Sequence, residues 1–382
     1  MELVSSSVDF PKKNDFVYLN TANVSLMYEG CRIAISDWYN DVAWNGSINF
    51  NELAEKEVFY EIHHLSAKLF NVDPNDIAIG SSATELLSSL AWAIAPKKGE
   101  NILSTDIVFP STVYPWKRVA DSTGANVILI KAKDNYLDQE DIVKAINQNT
   151  AIVCISHVEY GNGQLYNLQK LSDAARAVDA LFIVDATQSA GAIPIDLKKC
   201  RIDALVCGAY KWLCGPFGTA IMYINPDLRK KIVPGLVGFR SHKHMWHLDP
   251  GRLEYPESAK KFEFSTMAFG CAIGLGASIK YILNIGLNAI CDHNYSLTSR
   301  LISGLKKQNA LILSPENDKE RSAIVVAKFE DYNSRDLVKA LKEQGIFISI
   351  RAGNLRFSPH FYNTKDDIKI TLDHIERIIK EK

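Results

Sequence analysis

From residue 77 the chain alternates short β-branched apolar runs with longer segments of helical period. The runs are IAIG (77–80), NILST (101–105), NVILIKA (126–132), AIVCISHV (151–158), LFIVDA (181–186), ALVCGAY (204–210) and TAIMYIN (219–225). They are continuous rather than alternating, as expected of strands covered on both faces by βαβ crossovers. Between them the period predicts helices over 83–95, behind a Ser81-Ser82 cap, and over 115–123, 139–147 and 168–178. Only eight residues, KWLCGPFG, separate the last two runs, too few for a crossover helix, so TAIMYIN is predicted to enter antiparallel. After 225 the pattern breaks into a Gly-, His- and Pro-rich stretch. It resumes as one long helical segment from about 266 to about 308, then as AIVVAKF, DLVKALKEQ, FISIRAG, LRFSP and an amphipathic helix from Lys365. The expected architecture is α/β: a seven-stranded, mostly parallel sheet in a large domain (16–265), and a smaller C-terminal α+β domain (266–382, with 1–15).

Composition narrows the function classes. A chain of 382 residues exceeds one ordinary core, and 47% apolar with 23% charged residues is the balance of a folded protein. Forty-three basic against 44 acidic side chains, net −1, argue against nucleic acid or an anionic membrane as partner and for a small molecule. Seven scattered cysteines read as reduced thiols. No basic start, signal-like stretch or membrane-length apolar run is present, so the cytoplasm is the expected location.

In open α/β sheets the ligand crevice lies at the carboxyl ends of the parallel strands. After IAIG, small residues run into a helix at Ser81, Ser82, Ala83 and Thr84. That is either a phosphate cradle or an ordinary cap with Glu85 as its partner. No Walker lysine follows. Asp185 ends the LFIV run, where an unpaired charge is expensive and a cationic or hydrogen-bonding partner is expected. Lys211 ends the next run between aromatic residues, where desolvation favours a neutral, nucleophilic amine. Separately each suits a structural ion pair; together they match pyridoxal phosphate, which needs a Schiff-base lysine, a carboxylate for its ring nitrogen and a phosphate cradle.

The ordered motifs FPSTVYPW, SHVEYGNG, FIVDATQSAGAIPIDL, GAYKWLCGPFG, KFEFSTMAFG and NLRFSPHFYNT resemble the class V aminotransferase family of fold-type I pyridoxal-phosphate enzymes, over about residues 18 to 375. Cysteine desulfurases, carbon–sulfur lyases, kynureninase and isopenicillin N epimerase share that pattern. The resemblance implies Lys211 as the Schiff-base lysine and Asp185 as partner of the ring nitrogen. It implies Gln188 at the ring 3-oxygen and Phe109 on the ring face, where desulfurases carry histidine. Ala83, Thr84 and Tyr210 are implied at the phosphate. Thr266 would be donated across a homodimer interface to the partner's phosphate, giving shared active sites. His157 is implied near the cofactor, its alternative being a satisfied histidine at a strand end. Arg356 would fork onto the substrate α-carboxylate, with Arg351 as the other candidate, so substrates would be α-amino acids.

Two departures matter. Desulfurases carry a nucleophilic cysteine in the interval that here reads AGNL, and no cysteine follows Cys291. Where they place asparagine after SHV, this chain has Glu159 and Tyr160. His242, His244 and His247 fall within six positions, a candidate metal cluster or a substrate-facing or surface loop. The expectation is α-proton abstraction by Lys211 followed by β-elimination of the carbon–sulfur lyase type. Transamination and epimerisation share the first step, and a noncatalytic cofactor-binding scaffold is the alternative from another class.

Overall fold

The computed structural model describes residues 6–11 and 15–380. Residues 1–5 and 12–14 of the segment assigned to the smaller domain, and 381–382, lie outside them. All seven expected strands form one sheet. They are β1 (Ile77–Gly80), β2 (Asn101–Thr105), β3 (Asn126–Ile130), β4 (Thr150–Ser156), β5 (Leu181–Asp185), β6 (Ala204–Gly208) and β7 (Ala220–Ile224). Their order is β1-β7-β6-β5-β4-β2-β3, with β7 antiparallel to both β1 and β6 and every other pair parallel. Several strands stop short of the apolar run that announced them. His157 and Val158 lie beyond β4, and Ala209 and Tyr210 beyond β6, because the chain there turns out of the sheet toward the crevice.

The continuous apolar runs have the expected cause. Along β5, Phe182 and Val184 join a core built with Ile62, Leu171 and Leu275, whereas Ile183 joins Leu86, Leu90 and Trp116 on the opposite face. Helices α1 (Glu29–Asn45) and α2 (Tyr60–Phe70) precede the sheet in sequence. The expected helices appear as α3 (Ala83–Ile94), α4 (Tyr114–Thr123), α5 (Gln139–Ala145) and α6 (Leu168–Arg176). The single long segment is in fact two helices, α7 (Phe269–Ile285) and α8 (Leu287–Lys307), bent by 79°. Gly286 breaks it at φ +92°, a left-handed conformation that glycine tolerates. A Cβ on Gly274 of α7 would come within 2.5 Å of Ile35 of α1, so its absence lets the two helices cross closely. Among the described residues no single helix is long and apolar enough to cross a membrane.

The C-terminal unit is an antiparallel sheet of Leu311–Ile312, Val325–Lys328, Ser349–Arg351 and Asn354–Phe357, packed on α8, α9 (Ser334–Glu343) and α10 (Lys365–Lys380) around Leu301, Leu341, Phe357 and Ile375. One tight contact joins it to the large sheet. Gly163, at φ +77°, packs so closely on Ile324 that an added Cβ would lie 2.4 Å from its carbonyl oxygen. Gly163→Ala is therefore expected to lower stability by about 2–4 kcal/mol, combining left-handed strain with backbone overlap. A thermal scan checks this, and an unchanged Tm would contradict the close packing.

Candidate active site

The carboxyl ends of β1, β4, β5 and β6 and the amino end of α3 surround one cleft. Its walls include Ser81 to Thr84, Phe109, Tyr160, Asp185, Gln188, Tyr210 and Lys211. At α3 the cap and the cradle coexist. Ser82 Oγ accepts the Glu85 amide at 3.1 Å, and the Glu85 carboxylate folds back to accept the Ser81 amide at 3.0 Å and its hydroxyl at 2.5 Å. That anchors the turn while the first-turn amides of Ala83 and Thr84, which have no intrahelical acceptor, stay available for an anion. Thr84 donates its hydroxyl to Ser111 at 2.9 Å, bringing a further cleft side chain to this corner.

Asp185 is the last residue of β5 and is 6% exposed. Its carboxylate accepts the Thr187 amide at 2.9 Å and the Thr112 hydroxyl at 3.2 Å. Among the described residues no salt bridge reaches it, leaving a buried carboxylate that a cationic ring nitrogen would complete. Lys211, three residues past β6, is 8% exposed, and its Nζ lies 5.5 Å from the Phe109 ring centroid and 5.6 Å from that of Tyr210. It too has no ion-pair partner among the described residues. Burial lowers its pKa to about 8; the Asp185 charge opposes the shift, and Arg356 and Arg351 add to it. The amine is thus still mostly protonated at pH 7, but it gives up its proton far more readily than an exposed lysine and gains its proton-accepting form as pH approaches 8.

Gln188 lines the cleft, its Oε1 accepting the Trp212 indole N–H at 2.8 Å and its Nε2 donating to the Ala22 carbonyl at 3.0 Å. An amide nitrogen has two hydrogens, so one remains for a ring oxygen. Phe109 is 43% exposed because its ring borders the open cleft, edge-on to Tyr160 at 5.4 Å between centroids. Tyr210 stacks on Phe217 at 4.6 Å, and both line the cleft.

Three expected residues do not line the cleft of this chain. His157 is absent from the cleft wall: its Nδ1 pairs with Ser189 Oγ at 2.9 Å, and burial lowers its pKa to about 4, so it is a neutral histidine at the strand end. Thr266 is exposed and does not line the cleft of its own chain. Arg356 is fully buried beside the cleft; its Nε donates to Ser349 Oγ at 3.1 Å and one terminal nitrogen to the Tyr160 carbonyl at 2.9 Å. The other terminal nitrogen, Nη2, is buried without a partner. Burial and Arg351 lower its pKa to about 9. Arg351 instead donates to Asn23 Oδ1 at 3.0 Å.

His242 Nδ1 accepts the His244 amide at 2.8 Å, and the His242 ring centroid lies 6.3 Å from that of His244 and 6.2 Å from that of His247. Among the described residues no group of three ligating side chains is placed for a metal ion. Burial pushes the thiol pKa values of Cys154 and Cys214 up to about 12, and that of Cys207 upward too, so none of these is a ready thiolate nucleophile. Sequence reasoning did not single out Ser111, Thr112, Thr187 and Phe217 as site residues. Each sits within a quoted motif, but only the turns after β2, β5 and β6 bring them inward.

Free first-turn amides, a buried carboxylate without a salt bridge, a buried lysine with a lowered pKa and an arginine nitrogen without an acceptor are what pyridoxal phosphate and an amino-acid carboxylate would satisfy. Fold and site together define a fold-type I pyridoxal-phosphate enzyme. The family profile for aminotransferase class-V matches residues 17–370, and the chain belongs to that family. It is 26% identical over 366 residues to an uncharacterized aminotransferase, YcbU, of Bacillus subtilis (strain 168), covering 96% of this chain and 95% of that protein. It is 30% identical over 301 residues to a probable cysteine desulfurase of Ureaplasma parvum serovar 3, covering 76% and 72%. Among solved structures it superposes on a cysteine desulfurase from Thermococcus onnurineus NA1 with TM-score 0.88 at 24% identity, over 98% of both chains. It also superposes on the cystine C–S lyase C-DES bound to cysteine persulfide, with TM-score 0.87 at 23% identity, over 96% of this chain and 99% of that one.

Proposed function

We propose that this protein is a pyridoxal-phosphate-dependent lyase that eliminates a sulfur-bearing β-substituent from a small α-amino acid, working in the cytoplasm as a homodimer. The observation that carries the reading is Lys211, an amine buried one strand from Asp185, without an ion-pair partner and with its pKa lowered to about 8. Pyridoxal phosphate, when bound, supplies a conjugated sink for the electrons released at the substrate α-carbon. The Ala83 and Thr84 amides and neighbouring hydroxyls would hold its phosphate, Asp185 its ring nitrogen, Gln188 its ring oxygen and Phe109 its face. Arg356 holds the substrate carboxylate with the guanidinium nitrogen that now lacks a partner. Lys211 Nζ takes the α-proton, and its neutral fraction sets the acid limb of activity. Thr266, exposed and not part of its own cleft wall, is available to a partner subunit.

The relatives named desulfurases and the C–S lyase support sulfur chemistry, and the missing cysteine in AGNL argues against sulfur transfer to the enzyme. With no thiol there to receive sulfur, the sulfur leaves on its own fragment rather than on the enzyme. Holoenzyme given cystine or S-substituted cysteines is expected to release pyruvate, ammonia and a thiol or persulfide without added oxo-acid. Strict dependence on an oxo-acid would make it an aminotransferase instead, and loss of optical rotation without net consumption an epimerase. Silence with every amino acid, cofactor bound, would leave a scaffold.

A further inference from the structure

Glu159 follows the cleft strand β4 by three residues and is fully buried. Its Oε1 accepts hydroxyls from Thr105, at the end of β2, and Tyr166, each at 3.2 Å, while Oε2 is buried with no partner. The charged groups facing it, Asp185 at the end of β5 and Asp106 after β2, are both acidic, and no cation pairs with it among the described residues. The backbone at Glu159 closes a tight loop, its N–H donating to the Gln164 carbonyl at 2.8 Å and its carbonyl accepting the Gly163 amide at 2.9 Å. That loop touches the C-terminal unit, where Ser322 donates to the Gly163 carbonyl at 2.8 Å and the Leu165 amide to that of Glu320 at 2.7 Å. It also presents the Tyr160 carbonyl that holds Arg356 at 2.9 Å.

We propose that Glu159 is a positioning residue, protonated in the native enzyme, which fixes this loop so that the Tyr160 carbonyl aims Arg356 at the substrate carboxylate, and that loss of its proton releases Arg356. The link to substrate rests on the amino-acid reading above. Burial, with Asp185 and Asp106 adding to it against the two hydroxyls, raises the Glu159 pKa to about 8. A carboxylate formed there has no countercharge, and the loop is what can move to expose it.

The test is binding of an amino acid to holoenzyme, followed by the cofactor absorbance from pH 6.5 to 9.5, in wild type and Glu159→Gln. Glutamine keeps the two accepted hydrogen bonds and cannot ionise. With only the protonated form competent, the wild-type dissociation constant should rise about tenfold more than the variant's between pH 7 and pH 9. Thermal unfolding reads the proton without substrate. A folded pKa raised above the unfolded one gives stability that is lost as pH rises toward about 8, so the wild-type Tm should fall relative to Glu159→Gln between about pH 5 and 8. Should the variant fail to fold, Tyr166→Phe removes a hydroxyl that favours the carboxylate and must move the binding limb to higher pH. An identical alkaline limb in both proteins overturns the proposal, and so does a pH-independent Tm gap. Absence of any amino-acid response at every pH would instead sink the substrate reading, and this link with it, while the Tm gap still reported the proton.

Discussion

Lys211→Met is expected to lower turnover by at least about a thousandfold, because general-base contributions run from roughly 10² to 10⁴ and this amine also provides the covalent anchor. Borohydride treatment of wild-type holoenzyme should leave a pyridoxyl group on the peptide containing residue 211 and none on the variant's; a label elsewhere would remove the basis of the assignment. The same substitution should stabilise the cofactor-free protein. The Lys211 pKa drops from 10.5 to about 8 on folding, so at pH 7 the fold holds an ammonium that burial penalises. Between pH 8 and 10.5 the unfolded chain binds more protons than the native one, and wild-type stability rises with pH relative to a non-titrating variant. The advantage of Lys211→Met is thus about 3 kcal/mol at pH 7, with methionine retaining most of the aliphatic packing, and shrinks as pH climbs through that window. Denaturant midpoints at pH 7 and pH 10 measure it; equal gaps at both would mean that Lys211 is not desolvated in the native state.

Arg356→Lys should raise the KM for amino-acid substrates by about 10²- to 10³-fold, matching the roughly 3–4 kcal/mol lost when one partner of a buried charged pair is removed. The geometry makes the effect specific to binding. One guanidinium nitrogen and Nε are spent on Tyr160 and Ser349, and only the fork of an arginine leaves another nitrogen free. Lysine can keep one of those protein contacts or meet a carboxylate, not both. The fall should therefore sit in kcat/KM far more than in kcat at saturation. A variant with unchanged KM would move the carboxylate site to Arg351, which in the structure is occupied by Asn23.

Much of the fold was legible because its signals are local. A strand buried on both faces needs a continuous apolar run, and the seven runs between 77 and 225 became the main sheet, although its edge strand Asn126–Ile130 is only partly buried. Helix α1 escaped notice because only Cys31 among its residues is buried, which leaves a weak apolar stripe. The long segment 266–308 read as one helix because glycine costs a helix only about 1 kcal/mol, and the sequence does not say whether Gly286 is paid that small cost or used to turn the chain. At the site, Asp185, Lys211 and the α3 cradle followed from the rule that ligands gather at strand carboxyl ends. His157 obeyed the same rule and still faced away, since successive residues leaving a strand point to opposite sides.

What the sequence by itself determined is the seven-stranded sheet with its antiparallel exception, the helices between its strands, and a lysine and a carboxylate that end neighbouring strands. Period, connection length and end-of-strand position are properties of contiguous residues. Only the tertiary structure decided that Arg356 keeps one nitrogen free while gripping a carbonyl 196 positions earlier in the chain, and that Glu159 sits with two acids and no base. Desolvation and hydrogen bonding across such separations depend on which surfaces meet, and that is settled when the two units pack.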